Sequence, residues 1–85
     1  MIFKINKSQT VTDKQNISAN KIILNPFESN IIGLKICLYN ANGHVAKFPI
    51  TETNKPFSKD VSSFSSINLE CSSSDKEYSI EFNLS

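Results

Sequence analysis

Apolar residues in this chain recur at every second position in short runs, and no stretch of ordinary helical length carries a period near 3.6. Tyr78, Ile80, Phe82 and Leu84 alternate with Ser79, Glu81, Asn83 and Ser85, and Ile67, Leu69 and Cys71 alternate with Asn68, Glu70 and Ser72. A period of two puts one set of side chains on a buried face and the other in water, the pattern of a half-buried β-strand. Between these runs lies the polar stretch Ser72–Glu77, short enough for a hairpin loop, so residues 66–84 are predicted to form an antiparallel hairpin.

Asn40-Ala-Asn-Gly43 marks a second hairpin, between Ile31–Tyr39 and His44–Ile50. Asn-Gly accepts positive φ at both central positions of a type I′ turn, whose twist suits the flanking strands. Pro49 has no N–H for a ladder, so the return strand is predicted to end near it or to lie at an edge. Phe3 and Ile5 mark an early strand, residues 21–24 another that stops at Asn25-Pro26, and the polar residues 8–20 have room for one more. In the segment 55–64, Phe57, Val61 and Phe64 fall on one helical face behind Pro56, while Ser58, Ser62 and Ser63 are indifferent helix formers. At most one helical turn is predicted near 56–64.

Six to seven short strands at roughly ten-residue spacing predict an all-β fold, a small antiparallel β-sandwich of immunoglobulin-like or jelly-roll-like type. The chain has no Trp, so the Cys…Trp…Cys signature of immunoglobulin domains is missing. With 85 residues it is read as a single domain, 1–85, large enough to bury only about 60% of its unfolded surface.

The net charge of +1 argues against a bare nucleic acid or an anionic membrane as partner. All nine basic residues are Lys, so the planar fork that grips phosphates and guanine edges is missing. Ile (11), Lys (9) and Asn (10) have AT-rich codons, and their abundance points to an AT-rich genome, that of a low-GC bacterium or one of its viruses. No segment approaches the ~18 apolar residues of a membrane span. The opening residues show no basic stretch followed by an apolar core, so the predicted location is the cytoplasm of a host cell during synthesis and then a virion.

Chemistry-bearing patterns are sparse. Cys37 shares its strand face with Lys35 and Tyr39, whereas Cys71 shares the apolar face of Ile67 and Leu69. That parity aims the two thiols at different layers and predicts them free. His44 is the one histidine, and it follows a turn. The eight carboxylates are dispersed, with no C-x-x-C pair, calcium loop or glycine-rich phosphate loop, so no catalytic residue, metal or cofactor is predicted. Carbohydrate binding calls for exposed aromatics on a flat face or in loops, and the missing Trp argues against a carbohydrate partner. Phe27, Phe48, Phe57 and Phe64 lie in or near connections, placed to plug the open ends of a sandwich.

The strand Ile31–Tyr39 is apolar on both faces. Ile32, Leu34, Ile36 and Leu38 make one face; Ile31, Cys37 and Tyr39 make the other, broken only by Lys35. A two-layer sandwich buries one face of each strand, so the second needs a cover. The cover is either the segment carrying Phe57, Val61 and Phe64 or another protein, which makes Ile31, Lys35, Cys37, Tyr39, Phe57, Val61 and Phe64 the interface candidates. The function predicted on this basis is non-enzymatic: a small accessory subunit of a larger assembly such as a bacteriophage virion, as capsid decoration or minor head or tail component, held by a protein partner or by copies of itself. The alternative is a soluble inhibitor, immunity protein or anti-defence factor acting on a host protein.

Overall fold

A computed structural model describes residues 1–85. Eight strands form, all short: β1 (Ile2–Ile5), β2 (Gln15–Asn16), β3 (Lys21–Leu24), β4 (Lys35–Tyr39), β5 (Val45–Pro49), β6 (Phe57–Asp60), β7 (Ser66–Glu70) and β8 (Tyr78–Leu84). They make two four-stranded antiparallel sheets, ordered β1-β8-β3-β6 and β2-β7-β4-β5. No helix is present; residues 61–64 make a single turn, closed by the Phe64 N–H donating to the Val61 carbonyl at 3.0 Å.

The pairing has a simple logic. β4 pairs with β5, β3 with β6, β2 with β7 and β1 with β8, four ladders nested one inside another. The β8–β3 and β7–β4 ladders then join these pairs side by side. This is one long hairpin rolled up on itself, the eight-strand jelly-roll order. An immunoglobulin sandwich is built largely from hairpins of consecutive strands, and here β4–β5 is the one consecutive pair.

Residues 66–84 therefore do not form the hairpin that their alternation predicts. β7 and β8 lie in different sheets, and residues 71–77 carry the chain from one layer to the other. Either arrangement satisfies the period of two, because in both the same side chains face the core. The β4–β5 hairpin does form, with a different turn. Tyr39 pairs with Val45, the Asn40 N–H donates to the His44 carbonyl, and no residue other than glycine has positive φ. Gly43 alone is left-handed, at φ +84°, so the loop is a type I turn closed by a glycine bulge. The Asn40 side-chain oxygen accepts the N–H groups of Asn42 and His44, which favours this turn over type I′.

The core lies between the two inner faces. Phe3, Ile5, Ile22, Leu24, Ile80 and Phe82 come from one sheet and Ile36, Leu38, Ile67 and Leu69 from the other, all essentially without exposure. Phe3 and Phe82 meet edge to face at 6.0 Å. Phe27, Phe48, Phe57 and Phe64 are half-buried and pack on the margins of this cluster. The apolar face predicted for residues 31–39 is shorter than its pattern. Gly33 takes φ +70° and interrupts the strand, so Leu34 is buried while Ile32 projects into water at 64% exposure.

Each sheet edge is blunted. β5 ends at Pro49. On β6, Lys59 lies opposite Ile22 on the inward face, and its ammonium reaches 4.0 Å from the Phe48 ring centroid across the gap between the sheets. On β1, the Ile2 carbonyl accepts a hydrogen bond from Gln15 Nε2. Along β7, the partner of Glu70 is Val11 whereas that of Ile67 is Gln15, a shift that places a bulge at residues 12–14. Thr12 fills it: its N–H donates to the Leu69 carbonyl, and its hydroxyl oxygen accepts the Leu69 N–H at 2.9 Å.

Two sets of variants test this architecture by urea unfolding. Ile36→Ala loses about 2–5 kcal/mol and Phe82→Ala about 3–5 kcal/mol, the ranges for emptying packed core sites of these sizes. Gly43→Ala, with open space around it, loses about 1–2 kcal/mol for left-handed backbone alone. Gly33→Ala loses more, because its Cβ would stand 2.6 Å from Ser72 Oγ. Gly33→Ala with Ser72→Ala recovers part of that excess, since the Ser72 Cβ still stands 3.3 Å away.

Candidate functional site

The interface candidates divide between two places. Lys35, Cys37 and Tyr39 share the outer face of the β2-β7-β4-β5 sheet, as strand parity requires. Val61 is fully buried in the core, and Ile31, Phe57 and Phe64 are half-buried against it. The segment 57–64 is therefore not the cover of the second β4 face. Its residues serve the interior, because Phe57 begins an edge strand of the opposite sheet rather than a helical turn.

The cover comes from elsewhere in the chain. Cys37 lies between Lys47 on β5 and Asn68 on β7. Lys47 Nζ is 2.9 Å from Glu70 Oε1, a pair that bridges the flanking strands β5 and β7. Cys37 is only 1% exposed. Beside it, the Tyr39 hydroxyl donates to Asn68 Oδ1 at 2.9 Å, and Asn68 Nδ2 donates to the Thr12 carbonyl at 3.0 Å. Asn68 is buried yet fully satisfied, the condition for a polar side chain in such a place. Lys14 holds its ammonium 3.9 Å from the Tyr39 ring centroid. The bulged edge, residues 12–14, and one ion pair thus seal a face that reads as open in the sequence.

Electrostatics follow from this packing. Burial, and then the neighbouring Glu70 carboxylate, push the Cys37 thiol above its ordinary pKa, which keeps it protonated and poorly nucleophilic at neutral pH. Burial raises the Cys71 thiol as well. Both cysteines are free. The hydrogen bond from Lys47 holds the Glu70 carboxyl below its usual range, and the same bond holds Lys47 above its own. Tyr39 is raised by burial first and then by Cys37 and Glu70.

A second polar cluster ties two loops together at one end of the sandwich. The Tyr78 hydroxyl donates to Asp75 Oδ1 at 2.6 Å and accepts the Asn30 N–H at 3.0 Å; Asn30 Nδ2 donates to Asp75 Oδ2 at 3.3 Å. The hydrogen bond from Tyr78 lowers the Asp75 carboxyl. This cluster fixes the β3–β4 loop to the β7–β8 crossover. His44 stands exposed beside the β4–β5 turn. No group of three or more His, Cys, Asp or Glu side chains converges as a metal-binding cluster.

Of the residues missed in the sequence, Lys47 depends on the turn type: a type I′ turn centred on Asn42-Gly43 would set Phe48 opposite Cys37, and the glycine bulge shifts the register by one so that Lys47 takes that place. Asn68, Glu70, Thr12 and Lys14 depend on the β4–β7 and β2–β7 ladders, for which no local signal exists.

The cover can be tested chemically. In the folded protein, Ellman's reagent modifies Cys71 before Cys37; in a Cys71→Ser background Cys37 reacts slowly, and Lys47→Ala speeds that reaction. The ion pair also has a pH signature. Glu70, lowered in the fold, stabilises above its unfolded pKa near 4.3 and loses that contribution as pH falls through its folded value. Lys47, raised in the fold, keeps its contribution below about pH 10.4 and loses it as pH rises through its raised value. Glu70→Gln therefore flattens the acid limb of urea midpoint against pH, leaving the part that the lowered carboxyls of Asp60 and Asp75 contribute.

Against known proteins, no family model, curated sequence or solved structure matches this chain.

Proposed function

We propose that the chain is a non-enzymatic structural and interaction subunit of a larger assembly, a bacteriophage virion component such as a capsid decoration or a minor head or tail piece. The observation that supports this reading most is the strand order. Nested pairing of eight short strands is the jelly-roll architecture, which viral shells use among other hosts of the fold. The support is that of an architecture rather than of a site, and the AT-rich composition agrees with it.

The surface adds to the argument. A subunit that sits on a lattice needs faces and loops that meet a neighbour, and edges that do not recruit further strands. Pro49, the inward Lys59, the Gln15 cap on β1 and the bulge at 12–14 all oppose strand addition. Exposed Ile2, Val11, Ile32, Val45 and Leu84 are the large apolar side chains left at the surface. The partner in this reading is a protein, another subunit of the particle, and neither nucleic acid nor a cofactor enters it. The buried, protonated Cys37 and the exposed His44 support the non-enzymatic part. Synthesis in the host cytoplasm followed by incorporation into the particle completes the proposal.

Native mass spectrometry of the purified protein, set beside gradient fractionation of the lysate that produces it, tests this. The expected result is a fixed copy number in a symmetric particle. Recovery only in a one-to-one complex with a host enzyme would instead establish an inhibitor or anti-defence factor.

A further inference from the structure

Of the ten asparagines in the chain, Asn42 alone is followed by glycine. Asn42 and Gly43 are both exposed, at the tip of the β4–β5 hairpin. The Asn42 carboxamide has no hydrogen-bond partner within the chain, whereas Asn6, Asn25, Asn30, Asn40, Asn68 and Asn83 all use theirs. The space around Gly43 is open: a Cβ placed there would meet no atom within 4 Å.

Such a pair holds its own electrophile and nucleophile. The side-chain carbonyl carbon Cγ and the next backbone nitrogen close a five-membered ring when they join, and a following residue without a Cβ leaves the approach unobstructed. The Gly43 nitrogen gives its proton to hydroxide and attacks Asn42 Cγ; the N–Cγ bond forms, the Cγ–Nδ2 bond breaks, and Nδ2 leaves as ammonia after taking a proton from water. Water then opens the succinimide at one of its two carbonyls. Opening at Cγ gives aspartate, and opening at the main-chain carbonyl gives isoaspartate. The closed turn opposes the first step. The Gly43 N–H is engaged with the Asn40 carbonyl at 3.1 Å, and Asn40 Oδ1 accepts the N–H groups of Asn42 at 2.9 Å and His44 at 3.0 Å. The Gly43 nitrogen must leave that arrangement to face Cγ, which takes a local opening of the loop and not unfolding of the sheets.

We propose that Asn42 is a self-modification site, converted by water to aspartate and isoaspartate through the succinimide, with the Asn40 side chain setting the rate. Either product puts a carboxylate into residues 40–44, a segment with no Asp, Glu or Lys, and takes the net charge from +1 to zero. Isoaspartate also lengthens the main chain by one atom inside the loop that the Asn40 N–H and His44 carbonyl close at 3.0 Å, so that closure is lost. The hairpin tip thus changes charge and shape with the age of the molecule while the core stays as it is. The proposal does not rest on the virion reading.

Timed incubation of the full chain at neutral and at mildly alkaline pH tests it, read by peptide mapping with fragmentation that separates aspartate from isoaspartate. The expected result is conversion at Asn42 ahead of every other asparagine, with both products present and a rate that rises with pH. Asn40→Ala speeds the conversion about fivefold or more, since two hydrogen bonds to the turn are lost. Asn40→Asp, which keeps an oxygen acceptor at that place, holds the slow rate. Asn42→Gln abolishes the conversion while the amide spectrum of β4 and β5 stays in place. An Asn42 that remains intact, aspartate formed with no isoaspartate, or a rate indifferent to Asn40→Ala would each overturn the proposal.

Discussion

Contact between the two inner faces is the interaction on which everything else in this molecule depends, because each four-stranded sheet has one apolar face and no other place to bury it. Phe3, Ile5, Ile22, Leu24, Ile80 and Phe82 on one side meet Ile36, Leu38, Ile67 and Leu69 on the other. Their burial offsets the entropy of fixing a chain of 85 residues whose connections take up much of its length. The same contact sets the alternation along every strand, and so decides which polar groups reach the outer faces.

What the outer faces do with those groups is less uniform. On the β1-β8-β3-β6 sheet they are mostly Lys, Ser, Asn and Glu in water. On the other sheet, Cys37, Tyr39 and Asn68 form a second, thin layer beneath Lys14 and the Lys47–Glu70 pair. A thiol and a phenol here occupy positions that usually face solvent, and the chain shelters them with hydrogen bonds and long side-chain stems. An apolar strand face can therefore be closed from within by polar neighbours, without a third layer and without a partner.

Much of the architecture was legible because it rests on local signals. Alternation located β1, β3, β7 and β8, Asn40–Gly43 located the β4–β5 hairpin, and Pro49 marked its end. The parity of Cys37 against Cys71 placed the thiols on opposite faces of their sheet. Pairing was not legible, since the inward face of a strand is the same whether its neighbour in sequence lies beside it or across the core. Residues 71–77 are long enough for either path, and nothing within them distinguishes a hairpin loop from a crossover. Phe57, Val61 and Phe64 showed the other ambiguity: in so short a run, a helical spacing and a strand followed by a turn place the same three residues inward. The meeting of residues 17–20 with residues 61–65, where the Ile17 N–H donates to the Ser65 carbonyl, had no signal at all, because only the sheet topology brings these two loops together.

The nested order of the ladders also governs how the chain can be made. A ribosome delivers β1 first, and its sole ladder partner, β8, last of the eight. Only β4 and β5 can pair as soon as they emerge; each successive ladder waits for a strand synthesised later, working outward from the middle of the chain. Until the final strand is free, Phe3 and Ile5 have no sheet to join. Assembly during translation thus proceeds from the centre to the ends, and the earliest residues stay exposed the longest, open to chaperones, proteases and neighbouring nascent chains.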